Sequence, residues 1–461
     1  MILAKKVKLY ADSVLVGNQW QENITLSIDT AGFITAIEQG RSEDAESVSG
    51  AIIPGMVNCH SHAFQRAFAG FSEYRANQSD SFWSWRDIMY RFVAQMSPQD
   101  AHHVAQYLYL EMLKAGYTCV AEFHYLHHQA GGAFYDDPAE MSLQVIEAAK
   151  STGLSITHLP VLYTYAGFGE QAPSSAQGRF IHQTDDYCKL LERLHELLRK
   201  EHLVNLGIAP HSLRAVSEGQ LATIVPFIRG LNSQAPIHIH IAEQLQEVND
   251  SIAFYGKRPV EWLLENHSLD PHWCLIHATH LTAQEVSALA QSGAVAGICP
   301  TTEANLGDGI FPTHSFLDQG GKLAIGSDSH IAVNVADELR TLEYAQRLTS
   351  HQRAVLTSEA TSSVGQTLYS HAAAHGASVV NQPVGEIAVG KRADLVILDT
   401  THPTLYGKKE HFILDAAIFA CDRMPVKDVM VAGQWQIQSG QHQSEQIIIH
   451  NYLKVMDKLT E

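Results

Sequence analysis

The chain has 461 residues, 45% of them apolar and 17% charged, which suits a protein with a large core. That length accommodates two or three average domains, or one large α/β barrel with additions. The net charge of −18 argues against non-specific nucleic-acid binding and against an anionic membrane surface. A small anionic ligand stays open, since it needs only a few placed Arg or Lys.

Residues 1–54 read as short strands with turns: Val14-Leu-Val-Gly, Ile24-Thr-Leu-Ser-Ile and Phe33-Ile-Thr-Ala-Ile. The first ten residues lack the long apolar core of a signal peptide. No apolar stretch approaches the roughly 18 residues that span a bilayer. Cys59, Cys119, Cys188, Cys274, Cys299 and Cys421 are scattered with no Cys-x-x-Cys pair. Reduced, mostly buried thiols in a cytoplasmic protein are expected.

The middle of the chain alternates. Apolar runs fall at 52–58, 118–124, 154–162, 203–209, 236–242, 273–278, 294–299 and 323–327. Helical patterns lie between them at 98–115, 138–150, 184–200, 217–230, 282–292 and 335–347. Eight buried strands alternating with helices predict parallel βα units, most economically closed as a (β/α)8 TIM barrel. An open doubly wound sheet is the alternative, but no G-x-G-x-x-G follows the first strand. Past the middle, Ala393-Asp-Leu-Val-Ile-Leu-Asp and Val429-Met-Val-Ala-Gly-Gln-Trp read as β structure again.

Barrel enzymes carry their chemistry at the C-terminal ends of the strands. His60 and His62 follow the first run, two residues apart and so on one face of an extended chain. Spacing alone is weak here, because 27 His in 461 residues give one or two His-x-His pairs by chance. His238 and His240 form the other pair, in the fifth run. His240 is nearer the strand end and is the better ligand; His238 is deeper and reads as structural. Glu243 follows that strand, His277 ends the sixth and Asp328 ends the eighth. Three His and one Asp suit Zn2+ with room for a water, whose pKa the metal can lower from about 15.7 to about 7. Glu243 is placed to carry protons, and His277 either binds metal or holds the water.

With this order in hand, the chain resembles the amidohydrolase superfamily over essentially its whole length. The resemblance rests on Pro54-Gly-Met-Val-Asn-Cys-His-Ser-His, His238-Ile-His-Ile-Ala-Glu, His277-Ala, Gly326-Ser-Asp-Ser and Gly385-Glu-Ile-Ala-Val-Gly-Lys-Arg-Ala-Asp-Leu-Val-Ile-Leu. It implies a small β-sandwich built from both termini, with residues 1–54 and 385–461 around a catalytic barrel of 55–384. Two-metal members usually carry a Lys at the end of strand four, whereas this run ends Gly207-Ile-Ala-Pro-His-Ser. That implies the mononuclear, deaminase-like class, with one Zn2+ per chain held by His60, His62, His240 and Asp328. Glu243, His277 and Asp328 then become catalytic.

Further stretches, such as Asp80-Ser-Phe-Trp-Ser-Trp-Arg-Asp, Ala121-Glu-Phe-His-Tyr, His211-Ser-Leu-Arg and Thr302-Glu-Ala-Asn-Leu-Gly-Asp-Gly, are similar to members acting on a small amidine-bearing dicarboxylate. Carboxylates favour Arg forks, with His, Tyr or Gln filling the remaining acceptor sites. Gln65, Arg86, Tyr125, His211 and Arg214 are the expected substrate-binding residues. A homodimer is the expected assembly. The alternatives are a deaminase of a heterocycle (guanine, cytosine or an adenosine derivative) and a metal-free barrel scaffold.

Overall fold

The computed structural model describes residues 6–73, 82–359 and 361–461, with only the backbone of residues 82–87. The N-terminal strands are β1 (Val7–Val16), β2 (Gln19–Ile28), β3 (Ile34–Gln39), β4 (Glu46–Ser47) and β5 (Ala51–Pro54). There follow β6 (Met56–Ser61), β7 (Tyr117–His124), β8 (Ser155–Leu162), β9 (Val204–Leu206), β10 (Ala209–Pro210), β11 (Ile237–Ile241), β12 (Trp273–His277), β13 (Val295–Ile298) and β14 (Lys322–Ile325). The last are β15 (Leu395–Leu398), β16 (Val426–Val431), β17 (Gln434–Gln438) and β18 (Gln441–His442).

Both chain ends join in one sheet of order β18-β17-β16-β15-β5-β1-β2-β3, with β4 beside β1. The middle strands are all parallel. β6, β7 and β8 pair in sequence, β9 and β10 both pair β8, and β11 to β14 form a second parallel set. Single parallel bridges join the two sets at Ile208–Ile237, Ser212–His240 and Ser61–Asp328. The arrangement fits the expected (β/α)8 barrel. Every residue of β6, β7, β8, β11, β12 and β13 is buried, as parallel strands covered on both faces require.

The expected helices are present with shifted ends, for example Pro98–Lys114, Thr184–Leu198 and Val335–Ser350. A capping box between Ser97 and Asp100 starts the first of these, and Pro98 sits where no N–H is needed.

Two expected strands are each two pieces. The run 52–58 divides at Gly55: β5 pairs antiparallel with β15 in the terminal sheet, and β6 pairs parallel with β7. A Cβ on Gly55 would lie 2.2 Å from Thr118 Oγ1, so a side chain cannot sit at this switch. The run 203–209 divides at Gly207, where a Cβ would lie 2.4 Å from the Pro236 carbonyl oxygen. Both halves of each run are apolar and extended, so periodicity alone does not locate the break. The C-terminal β reading also omits a helix, Glu445–Thr460, which packs on Pro98–Lys114 with Tyr107 and Tyr452 stacked 4.1 Å apart. Among the described residues no helix is long and apolar enough to cross a membrane.

Candidate metal and active site

The β6–β14 junction brings the first candidate ligands together. Asp328 N–H donates to the His60 carbonyl at 3.0 Å, and His62 N–H donates to the Asp328 carbonyl at 3.4 Å. His60 Nε2 and His62 Nε2 then lie 3.4 and 3.3 Å from Asp328 Oδ1. From β11, His240 Nε2 comes within 3.0 Å of His60 Nε2. Tetrahedral Zn2+ with bonds of about 2.0–2.1 Å separates its ligand atoms by roughly 3.3 Å, which matches these spacings.

The protonation pattern supports a cation at this point. His62 Nδ1 lies 2.8 Å from the Phe123 carbonyl and His240 Nδ1 lies 3.0 Å from the His211 carbonyl. A carbonyl only accepts, so each Nδ1 carries the hydrogen and each neutral ring turns a bare Nε2 inward. Burial, and then the neighbouring His62, hold the His60 pKa down to about 3. Burial with His60, His211 and His62 around it pushes His240 well below the usual imidazole range. Burial alone would raise Asp328, but the His60 and His62 rings beside it hold it well below an ordinary carboxyl. His60 and His240 held unprotonated and Asp328 held ionised, converging in a buried site, fit a divalent metal.

Glu243 and His277 stand beside that group. His277 Nε2 is 3.8 Å from both Glu243 Oε1 and Asp328 Oδ2. Burial works against a charged ring, yet Glu243, Glu303 and Asp328 raise the His277 pKa well above normal. Ala242, His277, Ala278, Asp328 and His330 all have left-handed φ between 43 and 68°. Such positions are costly for non-glycine residues, and here they gather at three strand ends around one point.

Of the expected substrate residues, Gln65, Tyr125, His211 and Arg214 line the same cavity as the metal group. Gln65 Nε2 donates to Tyr125 Oη at 2.7 Å, which leaves Gln65 Oε1 buried without a partner. Arg214 makes no ion pair within 4 Å among the described residues. Arg86 falls among residues whose side chains lie outside the described ones. His238, read as structural, lies within 2.7 Å of the Val379 carbonyl through Nε2. His127 and His128 likewise reach the carbonyls of Val161 and Ile181.

Several site residues were missed by sequence reasoning. Tyr163, Phe180 and Ser329 also line the cavity. Glu303 lies 3.1 Å from His277 Nδ1. Asp308 accepts a hydrogen bond from Gln244, the residue after Glu243. Its other oxygen is buried without a partner, and burial, reinforced by Glu243, pushes the carboxyl up to about 9. Both acids belong to the quoted stretch Thr302-Glu-Ala-Asn-Leu-Gly-Asp, where two acids just after the seventh strand were the available signal. Glu122 lies beneath the metal group and accepts from Ser61 Oγ and Ala63 N–H, each at 2.6 Å, and from Tyr109 at 3.1 Å. It ties the residues around His62 to β7. Its signal was a carboxylate inside an otherwise buried strand.

The amidohydrolase family model matches residues 51–436. The chain is 47% identical over 454 residues to a formimidoylglutamate deiminase from Pseudomonas aeruginosa, covering 98% of this chain and 99% of that protein. A crystal structure of an amidohydrolase from Brucella melitensis is 41% identical with a TM-score of 0.92, covering 99% and 100% of the two chains. An adenosine deaminase from Xanthomonas campestris, solved with bound zinc, is 22% identical over 98% of each chain with a TM-score of 0.82, a likeness of fold.

Proposed function

The chain belongs to the amidohydrolase family, and we propose that it is a zinc-dependent hydrolase that deiminates N-formimino-L-glutamate to N-formyl-L-glutamate and ammonia in histidine degradation. The observation that carries this reading is the 47% identity over nearly the whole of both chains to a formimidoylglutamate deiminase. In this reading His60, His62, His240 and Asp328 hold one Zn2+ per chain. Residues 55–384 form the closed catalytic barrel, and 1–54 with 385–461 form the small β-sandwich. A cytoplasmic homodimer belongs to the same reading.

The chemistry divides among the chain's own groups. When bound, Zn2+ supplies Lewis acidity that makes water nucleophilic near neutral pH. Asp328 Oδ2 receives the proton that the attacking water loses, and His277 Nε2, 3.8 Å away, steadies that water. A C–O bond forms at the formimino carbon. Glu243 carries a proton to the terminal nitrogen, and the C–N bond breaks to release ammonia. Arg214 binds one carboxylate and Arg86 the other, with Tyr125 and His211 completing the acceptor set. Gln65 Oε1 accepts an N–H of the substrate.

A coupled ammonia assay on zinc-reconstituted protein tests the proposal. Release is expected from N-formimino-L-glutamate and not from guanine, cytosine or adenosine derivatives. Release from a heterocycle that survives Arg214→Ala would overturn it in favour of a different deaminase.

A further inference from the structure

His277 has two ring nitrogens, and their surroundings differ. Nε2 faces Glu243 and Asp328, 3.8 Å from each and beyond direct hydrogen-bond distance. Nδ1 faces away, 3.1 Å from Glu303 Oε1. Glu303 sits in the short helix Pro300–Leu306 that follows β13, and it is 4% exposed. The same Oε1 also accepts the Cys299 backbone N–H at 2.8 Å. That second bond fixes the carboxylate to the chain at the start of its own helix.

We propose that Glu303 is a positioning residue: it keeps the Nδ1 hydrogen on His277 and thereby leaves Nε2 as the nitrogen that serves the reaction. Glu303 Oε1 already accepts the Cys299 N–H, so it faces Nδ1 as an acceptor and that nitrogen donates. With Nδ1 committed, the proton that moves during a cycle is the one on Nε2. A neutral imidazole without this partner would divide between two tautomers, one of which presents N–H where an acceptor is needed. The backbone adds to the constraint. His277 and Ala278 have φ of 68 and 47°, so the ring leaves the strand end in a strained conformation that a fixed partner helps to hold.

A competing use of the same atoms is metal binding, because His277, Cys299 and Glu303 could together hold an ion. Two features favour positioning. Cys299 is fully buried, and burial pushes its thiol well above the usual range, away from the thiolate a metal needs. Glu303 Oε1 also already accepts two hydrogen-bond donors.

The catalytic part of this inference rests on the proposed deiminase reading; the tautomer part does not. The test compares wild type with Glu303→Gln, which keeps size and removes charge. With N-formimino-L-glutamate the variant is expected to lose roughly 10- to 100-fold in kcat, the range for removing a partner that orients an active-site imidazole, with KM within about threefold. Zinc should stay at one per chain. Glu303→Asp, which keeps the carboxylate, should recover part of the rate. Proton NMR needs no substrate: wild type should show a low-field imidazole N–H resonance that is missing in His277→Gln and shifted upfield in Glu303→Gln. Absence of that resonance in wild type, kcat of Glu303→Gln within threefold of wild type, or a second zinc lost in the variant would each overturn the proposal. Failure of wild type to release ammonia would contradict the functional reading, while the resonance still decides the positioning claim.

Discussion

The two His-x-His pairs share a spacing and differ in use. His60 and His62 both bring Nε2 to within 3.4 Å of Asp328. In the other pair only His240 reaches that point; His238 lies within 2.7 Å of the Val379 carbonyl. Depth along the strand accounts for the difference. His60 is next to last in β6, and His62 lies just beyond its end. His238 is the second residue of the five-residue β11, two residues below His240 on the same face. Imidazoles at the same spacing therefore join the candidate metal group at a strand end and serve as packing groups one layer down.

Substitution within each pair separates the two uses. His60→Ala or His240→Ala should purify with less than a tenth of the wild-type zinc and lose at least about 10³-fold in kcat/KM, since the metal supplies the nucleophile. His238→Ala should keep zinc and stay within about threefold in activity. It should instead lose on the order of 1–3 kcal/mol of stability, because the buried Val379 carbonyl loses a donor. Elemental analysis, ammonia release and urea unfolding separate the two patterns.

Glu243→Gln removes a proton carrier without removing a proposed ligand. The expected loss is about 10²- to 10⁴-fold in kcat with zinc unchanged. Zinc lost along with activity would mean that Glu243 helps to hold the ion.

Arg214→Met tests the substrate wall. Loss of a charge-assisted bond to a carboxylate should cost about 1.5–3 kcal/mol, or roughly 10- to 150-fold in KM, with a smaller change in kcat. Steady-state kinetics with N-formimino-L-glutamate would show it.

A pH-dependent effect concerns Asp308. An acid whose pKa rises from 3.8 to about 9 on folding takes up a proton as it folds between those values. It therefore costs stability progressively as pH climbs through that window. Asp308→Asn, which resembles the protonated form, should gain stability relative to wild type from pH 5 toward pH 9. Thermal unfolding across that range should show a growing difference; a constant difference would contradict it.

Much of the fold and most of the candidate site were legible because parallel strands are apolar runs, in which a polar residue at the end stands out. His60, His62, His240, Glu243, His277 and Asp328 were found in that way. Contacts between separate loops give no such signal. Glu303 and Asp308 follow the seventh strand, but their partners His277 and Gln244 follow the sixth and fifth, and no periodicity links them. The breaks at Gly55 and Gly207 were hidden because an apolar run does not state which neighbour it pairs with. The helix Glu445–Thr460 was legible and unused: Ile448, Tyr452, Val455 and Leu459 carry the helical spacing.

Anomalous diffraction at the zinc edge, on crystals of the zinc-loaded protein, locates the ion. The account predicts one strong peak per chain, about 2.0–2.2 Å from Nε2 of His60, His62 and His240 and from a carboxylate oxygen of Asp328. A peak held instead by His277, Cys299 and Glu303, or no peak between His60 and Asp328, would contradict it.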